Sequence, residues 1–208
     1  MDFYVQRGSV PQLEVCPYAH PTLIAGLGVR GFVVREFEHV MARALLDGED
    51  LDALMVPAVV SGLTLEHVDP TDTAAVETHI EVATSGFRTG SLDEASRDLN
   101  LRMLRHPRFD ALTARIDDTV AGGASVETFG ELACLLGTTV LPAWRRRGVQ
   151  SALMVARMKL ARDRGAKWMC VHSEPGIATE RNALRMGFAV IYTKVVMHRP
   201  TPGLTPSR

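Results

Sequence analysis

The chain has 208 residues, 46% of them apolar, and a formal net charge of −1. That composition suits a soluble globular protein of one generous domain, or one domain plus a fragment, with a core of its own. No stretch approaches the roughly 18 apolar residues of a membrane span, and the start, Met1-Asp2-Phe3-Tyr4, lacks a basic region followed by an apolar one, so the expectation is a cytoplasmic protein with no membrane partner.

The small net charge hides an asymmetry. Residues 47–98 carry twelve acidic side chains against Arg88 and Arg97, whereas residues 145–167 carry eight basic ones against the single Asp163. For the acidic stretch, solvated helix faces and attraction of a cationic ligand are both open readings. Cys16, Cys134 and Cys170 are odd in number, lie in apolar surroundings and show no short paired spacing. They read as reduced core thiols, with no metal site and no disulfide.

In chain order, residues 13–16 read as a strand, 21–27 as a helix and 31–43 as a strand. An internal repeat supports this. Residues 31–43 lie over 187–199 without a gap, and Gly31/Gly187, Phe32/Phe188, Val34/Val190, Val40/Val196, Met41/Met197 and Arg43/Arg199 coincide. The first 45 residues therefore read as the last third of a second, incomplete copy of a domain, a partial β-α-β unit. An acidic stretch containing Gly48 follows, read as a linker over 46–57.

From 58 to 199 the pattern predicts one domain. Residues 58–67 have β-branched, apolar strand content. Asp69 with Pro70 reads as an N-cap and first helical residue, with Ala74, Ala75, Val76, Ile80 and Val82 supplying apolar positions. Ser91 and Glu94 have capping-box spacing before a second helix bearing Leu92, Ala95, Leu99 and Met103. Three alternating segments, 109–116, 119–128 and 131–140, read as an antiparallel meander turned at Asp117-Asp118, and Gly122-Gly123 marks a bulge or a close backbone approach. The helix over 148–164 buries Val149, Leu153, Ala156 and Leu160, with Arg157, Lys159, Arg162 and Arg164 pointing elsewhere. A strand over 168–172, a helix over 178–186 and a strand over 188–198 complete the order βααβββαβαβ. Residues 200–208, rich in proline, read as a disordered tail.

The chemistry concentrates where the third strand of the meander meets the long helix, at Arg145-Arg146-Arg147-Gly148-Val149-Gln150-Ser151. The first turn of a helix leaves backbone N–H groups without intrahelical acceptors and carries the positive end of the dipole, so an anion fits there. Gly148 admits close approach of the anion, and the three arginines supply charge-assisted hydrogen bonds to phosphate.

This turn resembles the acyl-CoA motif of the GNAT acyltransferase superfamily, [Q/R]-x-x-G-x-[G/A], at Arg145 and Gly148, with Gln150 where a small residue is usual. The order of elements is similar to the GNAT fold over 58–199, and Asn182 with Gly187-Phe188 resembles the terminal N…GF signature. The resemblance implies an α/β (α+β) fold with a mixed, mostly antiparallel sheet flanked by helices. It also implies an acetyl-CoA or other acyl-CoA co-substrate lying between splayed strands. Thr138, Thr139 and Val140 would then neighbour the pantetheine arm, residues 145–151 would cradle the pyrophosphate, and Asn182 would contact the pantetheine region or, alternatively, cap its helix.

The usual catalytic tyrosine, four residues before the Gly-Phe pair, is Ala183 here. Glu131, His172 and Tyr192 are the candidate acid–base groups by strand position. Their alternatives are an edge charge for Glu131, a satisfied core histidine for His172 and sheet packing for Tyr192. The resulting expectation is an acyl-CoA-dependent N-acyltransferase acting directly on a small amine. A non-catalytic acyl-CoA-binding or regulatory module is the alternative. A nucleic-acid partner is not expected, since aromatic residues do not interleave with the basic ones. The N-terminal segment, with an apolar face and no arginine-glycine turn, is expected to bind no cofactor and to support a homodimer.

Overall fold

The computed structural model describes residues 2–55, 60–88 and 90–203. It is mixed α/β, with eight mostly antiparallel strands flanked by helices. The elements run α1 Asp2–Val5, β1 Gln12–Val15, α2 Pro21–Val29, β2 Val33–Ala44, a 3-10 turn Leu51–Leu54, β3 Leu63–His67, α3 Thr73–Thr84 and α4 Glu94–Leu104. They continue with β4 Phe109–Ile116, β5 Thr119–Phe129, β6 Leu132–Val140, a 3-10 turn Pro142–Trp144, α5 Val149–Asp163, β7 Trp168–Ser173, α6 Ala178–Arg185 and β8 Ala189–His198. Residues 58 and 59, the start of the first strand expected after the linker, lie outside the described residues. Among those described, no helix is long and apolar enough to cross a membrane.

The chain divides into two compact units, one of Arg43–Val171 and one of Met1–Ala42 with His172–Arg208. In the first, β3, β4, β5 and β6 pair antiparallel in sequence order and β7 joins β6 in parallel. Alternation along β4 explains the layering. Ala111 faces α3 and α4 in a cluster with Val76, Ile80 and Leu104, whereas Leu112, Ala114 and Ile116 face α5 in a cluster with Val149 and Leu153. Asp117 and Asp118 both take positive φ in the β4–β5 turn, at 46° and 64°, as a tight hairpin requires.

Local signals decided less at the helix starts. Asp72, not Asp69, caps α3, accepting from the amides of Ala74 and Ala75. Asp69 is already occupied by the amide and hydroxyl of Thr71. Asp93, not Ser91, caps α4 through the amide of Ser96, since an ionised carboxylate is the stronger acceptor at a helix start. Residues 46–55, read as linker, are docked on α5. Leu51 is buried, Lys159 pairs with Asp52 at 2.5 Å, and Arg162 donates to the carbonyl of Glu49 at 2.8 Å. The acidic and basic stretches of the sequence meet there.

In the second unit the strand order is β1-β8-β2, all antiparallel. α2 packs through Leu27 against Val15 and Met197. The repeated strands β2 and β8 pair with each other in a reciprocal register. Val33 faces His198 and Ala42 faces Ala189, Val34 faces Met197 and Met41 faces Val190, and Glu38 faces Lys194 at the centre. Each strand carries one bulge, at Arg35 in β2 and Ile191 in β8, which are aligned positions of the repeat.

Candidate active site

Strand β6 is where the local structure departs from regularity. Its parallel register with β7 covers only Leu132↔Trp168, Ala133↔Met169 and Cys134↔Cys170. β6 then continues for six residues, to Val140, without a further β7 partner among the described residues. A parallel pair that stops early leaves a run of amides and carbonyls facing a gap, and such groups need another acceptor or donor.

A bulge re-aims the same segment. Between Gly123↔Thr139 and Ser125↔Leu136 the register slips by one residue on β6, at Gly137-Thr138, and Gly137 takes φ +41°. The buried guanidinium of Arg157, on α5, donates to the carbonyls of Leu136 (3.2 Å), Ser125 (2.9 Å) and Leu153 (3.0 Å), holding the slipped register. Burial lowers its pKa to about 9, which still leaves it charged at neutral pH. The sequence reading turned Arg157 away from the core; the structure buries it, because these carbonyls supply the acceptors that a buried guanidinium needs.

Beyond Val140 the chain makes the 3-10 turn Pro142–Trp144. It then passes through Arg146 at φ +62° and Gly148 at φ +80° into α5. Gly148 is the N-cap and itself brings no side chain to the first turn of a 15-residue helix. Arg145, Arg146 and Arg147 are exposed around it. Arg145 Nε bonds the carbonyl of Val140 at 3.1 Å, and the Arg147 guanidinium lies 5.1 Å over the Trp144 ring. Val149 and Ser151 are buried and Gln150 is half-buried.

The remaining sequence candidates are placed as follows. Thr138 and Val140 are half-buried on β6, and Thr139 is buried, its hydroxyl donating to the carbonyl of Ala83 at 2.7 Å. Glu131 lies in the turn before β6, exposed and paired with Lys167, on the far side of the three-pair block. The strand begins at Leu132 because Gly130, with φ +60°, bends the chain there. Asn182 is inside α6, which starts after Ile177, so it does not cap its own helix; its carbonyl oxygen accepts from Arg185.

Tyr192 stacks edge-to-face on Tyr18, centroids 6.1 Å apart. His172 lies on β7, with Nδ1 3.0 Å from Lys194 Nζ. It keeps an exposed edge, yet burial of the rest of the ring, and then the Lys194 ammonium, push its pKa below the usual histidine value. Ala183 is fully buried and offers no titratable group. All three cysteines are half-buried and outside any disulfide. The sequence reading missed Gly137, Arg157 and Lys194. A lone glycine in a strand and a lone lysine amid apolar strand residues were the available signals.

An acetyltransferase (GNAT) family model matches residues 73–188, from α3 to Phe188. The chain belongs to this family. It is therefore an acetyltransferase by class. No curated protein matches the sequence. Among solved structures, the chain is similar to a GCN5-related N-acetyltransferase from Kribbella flavida, with TM-score 0.71 and 17% identity over 98% of this chain and 73% of that one. A tandem GNAT protein from the clavulanic acid biosynthesis pathway gives TM-score 0.63 and 17% identity over 92% of this chain and 64% of its own. An aminoglycoside acetyltransferase from an uncultured soil metagenomic sample, solved with sisomicin, gives TM-score 0.51 and 18% identity over 60% and 86%. At these identities the likeness is one of fold.

Proposed function

We propose that this GNAT protein binds acetyl-CoA along β6 and transfers the acetyl group directly to a small amine. The observation that carries the reading is the early end of the β6–β7 register at Cys134↔Cys170, followed by the bulge at Gly137 and the glycine N-cap of α5 at Gly148. Backbone groups of residues 138–140 that β5 and Arg145 do not already take hydrogen-bond the pantetheine amides. The residue 145–151 turn takes the pyrophosphate, with Arg145, Arg146 and Arg147 neutralising its charge.

In the reaction a neutral amine adds to the thioester carbon. The C–N bond forms, the C–S bond breaks, and the amine's proton ends on the departing sulfur, giving the amide and free CoA thiol. Glu77 and Glu81 on α3 are already paired with Arg97 and Arg88, so support for a small polyamine class of acceptor comes from the solved structure with an aminoglycoside. Apolar surface at Val33, Val34, Phe37, Val190 and Ile191, each at least 40% exposed, supports a homodimer through the N-terminal unit.

The test is a thermal-shift series with acetyl-CoA, longer acyl-CoAs and free CoA on the wild type and on Arg145→Glu/Arg147→Glu. Stabilisation of the wild type that the double variant loses supports the site, and equal stabilisation of both refutes it. The buried Ala183 in the family's usual tyrosine position favours one competing reading, a binding module without turnover. Thiol release from acetyl-CoA across a panel of primary amines separates the two, since saturable binding with no release sinks the transfer reading.

A further inference from the structure

Lys194 lies near the middle of β8, and its side chain is only 6% exposed. Three acceptors from three other strands converge on its ammonium. Glu14 Oε2 comes from β1 at 2.6 Å, Glu38 Oε2 from β2 at 2.7 Å and His172 Nδ1 from β7 at 3.0 Å. An ammonium has three N–H donors and no acceptor, so this set fills it. Burial opposes the charge, but the hydrogen bonds and charges of Glu14 and Glu38 outweigh it and hold the Lys194 pKa above the ordinary lysine value.

The chemistry of the hub fixes the state of the imidazole. A protonated lysine can only donate, so Nδ1 of His172 must be the acceptor, and the proton of the neutral ring sits on Nε2. His172 stands two residues past Cys170, the last β7 residue in register with β6, so the two side chains point to the same face of the strand. Its other ring nitrogen is then a single N–H donor, and its one lone pair is occupied. That suits stabilisation of developing negative charge; it does not suit removal of a proton from an amine.

The two glutamates come from the N-terminal segment, the incomplete copy suggested by the repeat. The antiparallel β2–β8 register is reciprocal about Glu38 and Lys194. If the copies were identical, like residues would face each other at that centre and a charged pair would repel. The sequence instead places a carboxylate opposite an ammonium.

We propose that residues 12–44 set the state of one imidazole: Glu14 and Glu38 hold Lys194, and Lys194 fixes His172 as a neutral ring with its proton on Nε2.

The test is 15N NMR of histidine-labelled full-length protein, with the His172 signals assigned by their loss in His172→Gln. Wild type is expected to show the Nε2–H tautomer at pH 7 and to titrate below the ordinary histidine range. Lys194→Met removes the cation, so the midpoint rises and the tautomers mix. Glu38→Gln leaves the cation less compensated, so the midpoint falls further. A merely structural role would not shift the two variants in opposite directions. An unchanged midpoint in Lys194→Met, or a rise in Glu38→Gln, overturns the hub.

Discussion

Arg157 Nη1 donates to the carbonyl of Leu136 at 3.2 Å while also donating to that of Ser125 at 2.9 Å, and these two residues are register partners across β5 and β6 next to the bulge. One side chain from α5 thus satisfies both strands where their ladder slips. Replacing it with methionine takes this donor from one buried and one half-buried carbonyl, at a cost of up to about 1–3 kcal/mol each. Relief of the buried charge offsets part of this. Urea denaturation of Arg157→Met should show a clear loss of stability, and hydrogen exchange should quicken at residues 136–139. A variant as stable as wild type, with unchanged exchange, would show that the bulge stands without the guanidinium.

The two glycines of β5 face different obstacles. A Cβ on Gly122 would lie 2.6 Å from the backbone oxygen of Thr139, whereas one on Gly123 would lie 2.8 Å from the side-chain Cγ1 of Val82. Backbone in a paired strand moves less readily than the methyl of one valine. Gly122→Ala should therefore cost about 1–3 kcal/mol and disturb the β6 segment proposed to bind pantetheine, lowering acetyl-CoA affinity as well. Gly123→Ala should cost less, and adding Val82→Ala should restore most of the loss. Equal penalties in the two single variants would contradict this ordering.

Much of the fold was legible because its signals are local. The strands of the meander, the Asp117-Asp118 hairpin and the Gly148 helix start each follow from residue types a few positions apart. What failed depended on partners far along the chain. Arg157 stands four residues after Leu153, on the edge of the apolar stripe, but only the bulged strands reveal acceptors for its charge. Asp69 and Asp72 are equally good caps in isolation, and Thr71 decides between them by occupying Asp69. At the candidate site, the arginine-glycine turn could be read directly. The short β6–β7 register and the Lys194 hub could not, since both arise from pairing between strands more than twenty residues apart.

Gly148 sits at φ +80° at the N-cap of α5. An alanine there strains the backbone by about 1–2 kcal/mol and puts a methyl group at the helix start where the pyrophosphate is proposed to lie. Gly148→Ala is expected to weaken acetyl-CoA binding at least about tenfold by calorimetry, beyond its modest effect on the melting temperature. Gly165→Ala is the control. Gly165 has a similar φ of +88° but lies past the other end of α5 with nothing near its Cβ position, so it should lose comparable stability and keep its affinity. Loss of affinity in both variants would trace the effect to global destabilisation and not to the turn.

His79 gives the fold a defined acid sensitivity. Its ring is buried on α3, with Nε2 3.1 Å from Ser125 Oγ and Nδ1 3.4 Å from Thr113 Oγ1. Burial, and then the charge of Arg157, push its pKa from 6.5 down to about 4. In the unfolded chain the group titrates near 6.5, so between that pH and about 4 the unfolded state binds a proton that the folded state does not. Stability from this group is then fully present above pH 6.5 and is lost as pH falls toward 4, by an amount on the order of 3 kcal/mol. His79→Gln keeps a polar side chain without a titrating group, so its stability should fall less over the same window, and the two curves should converge on acidification. Parallel curves from pH 7 to 4 would mean that His79 titrates alike in both states, and that its burial does not set the acid limit of the fold.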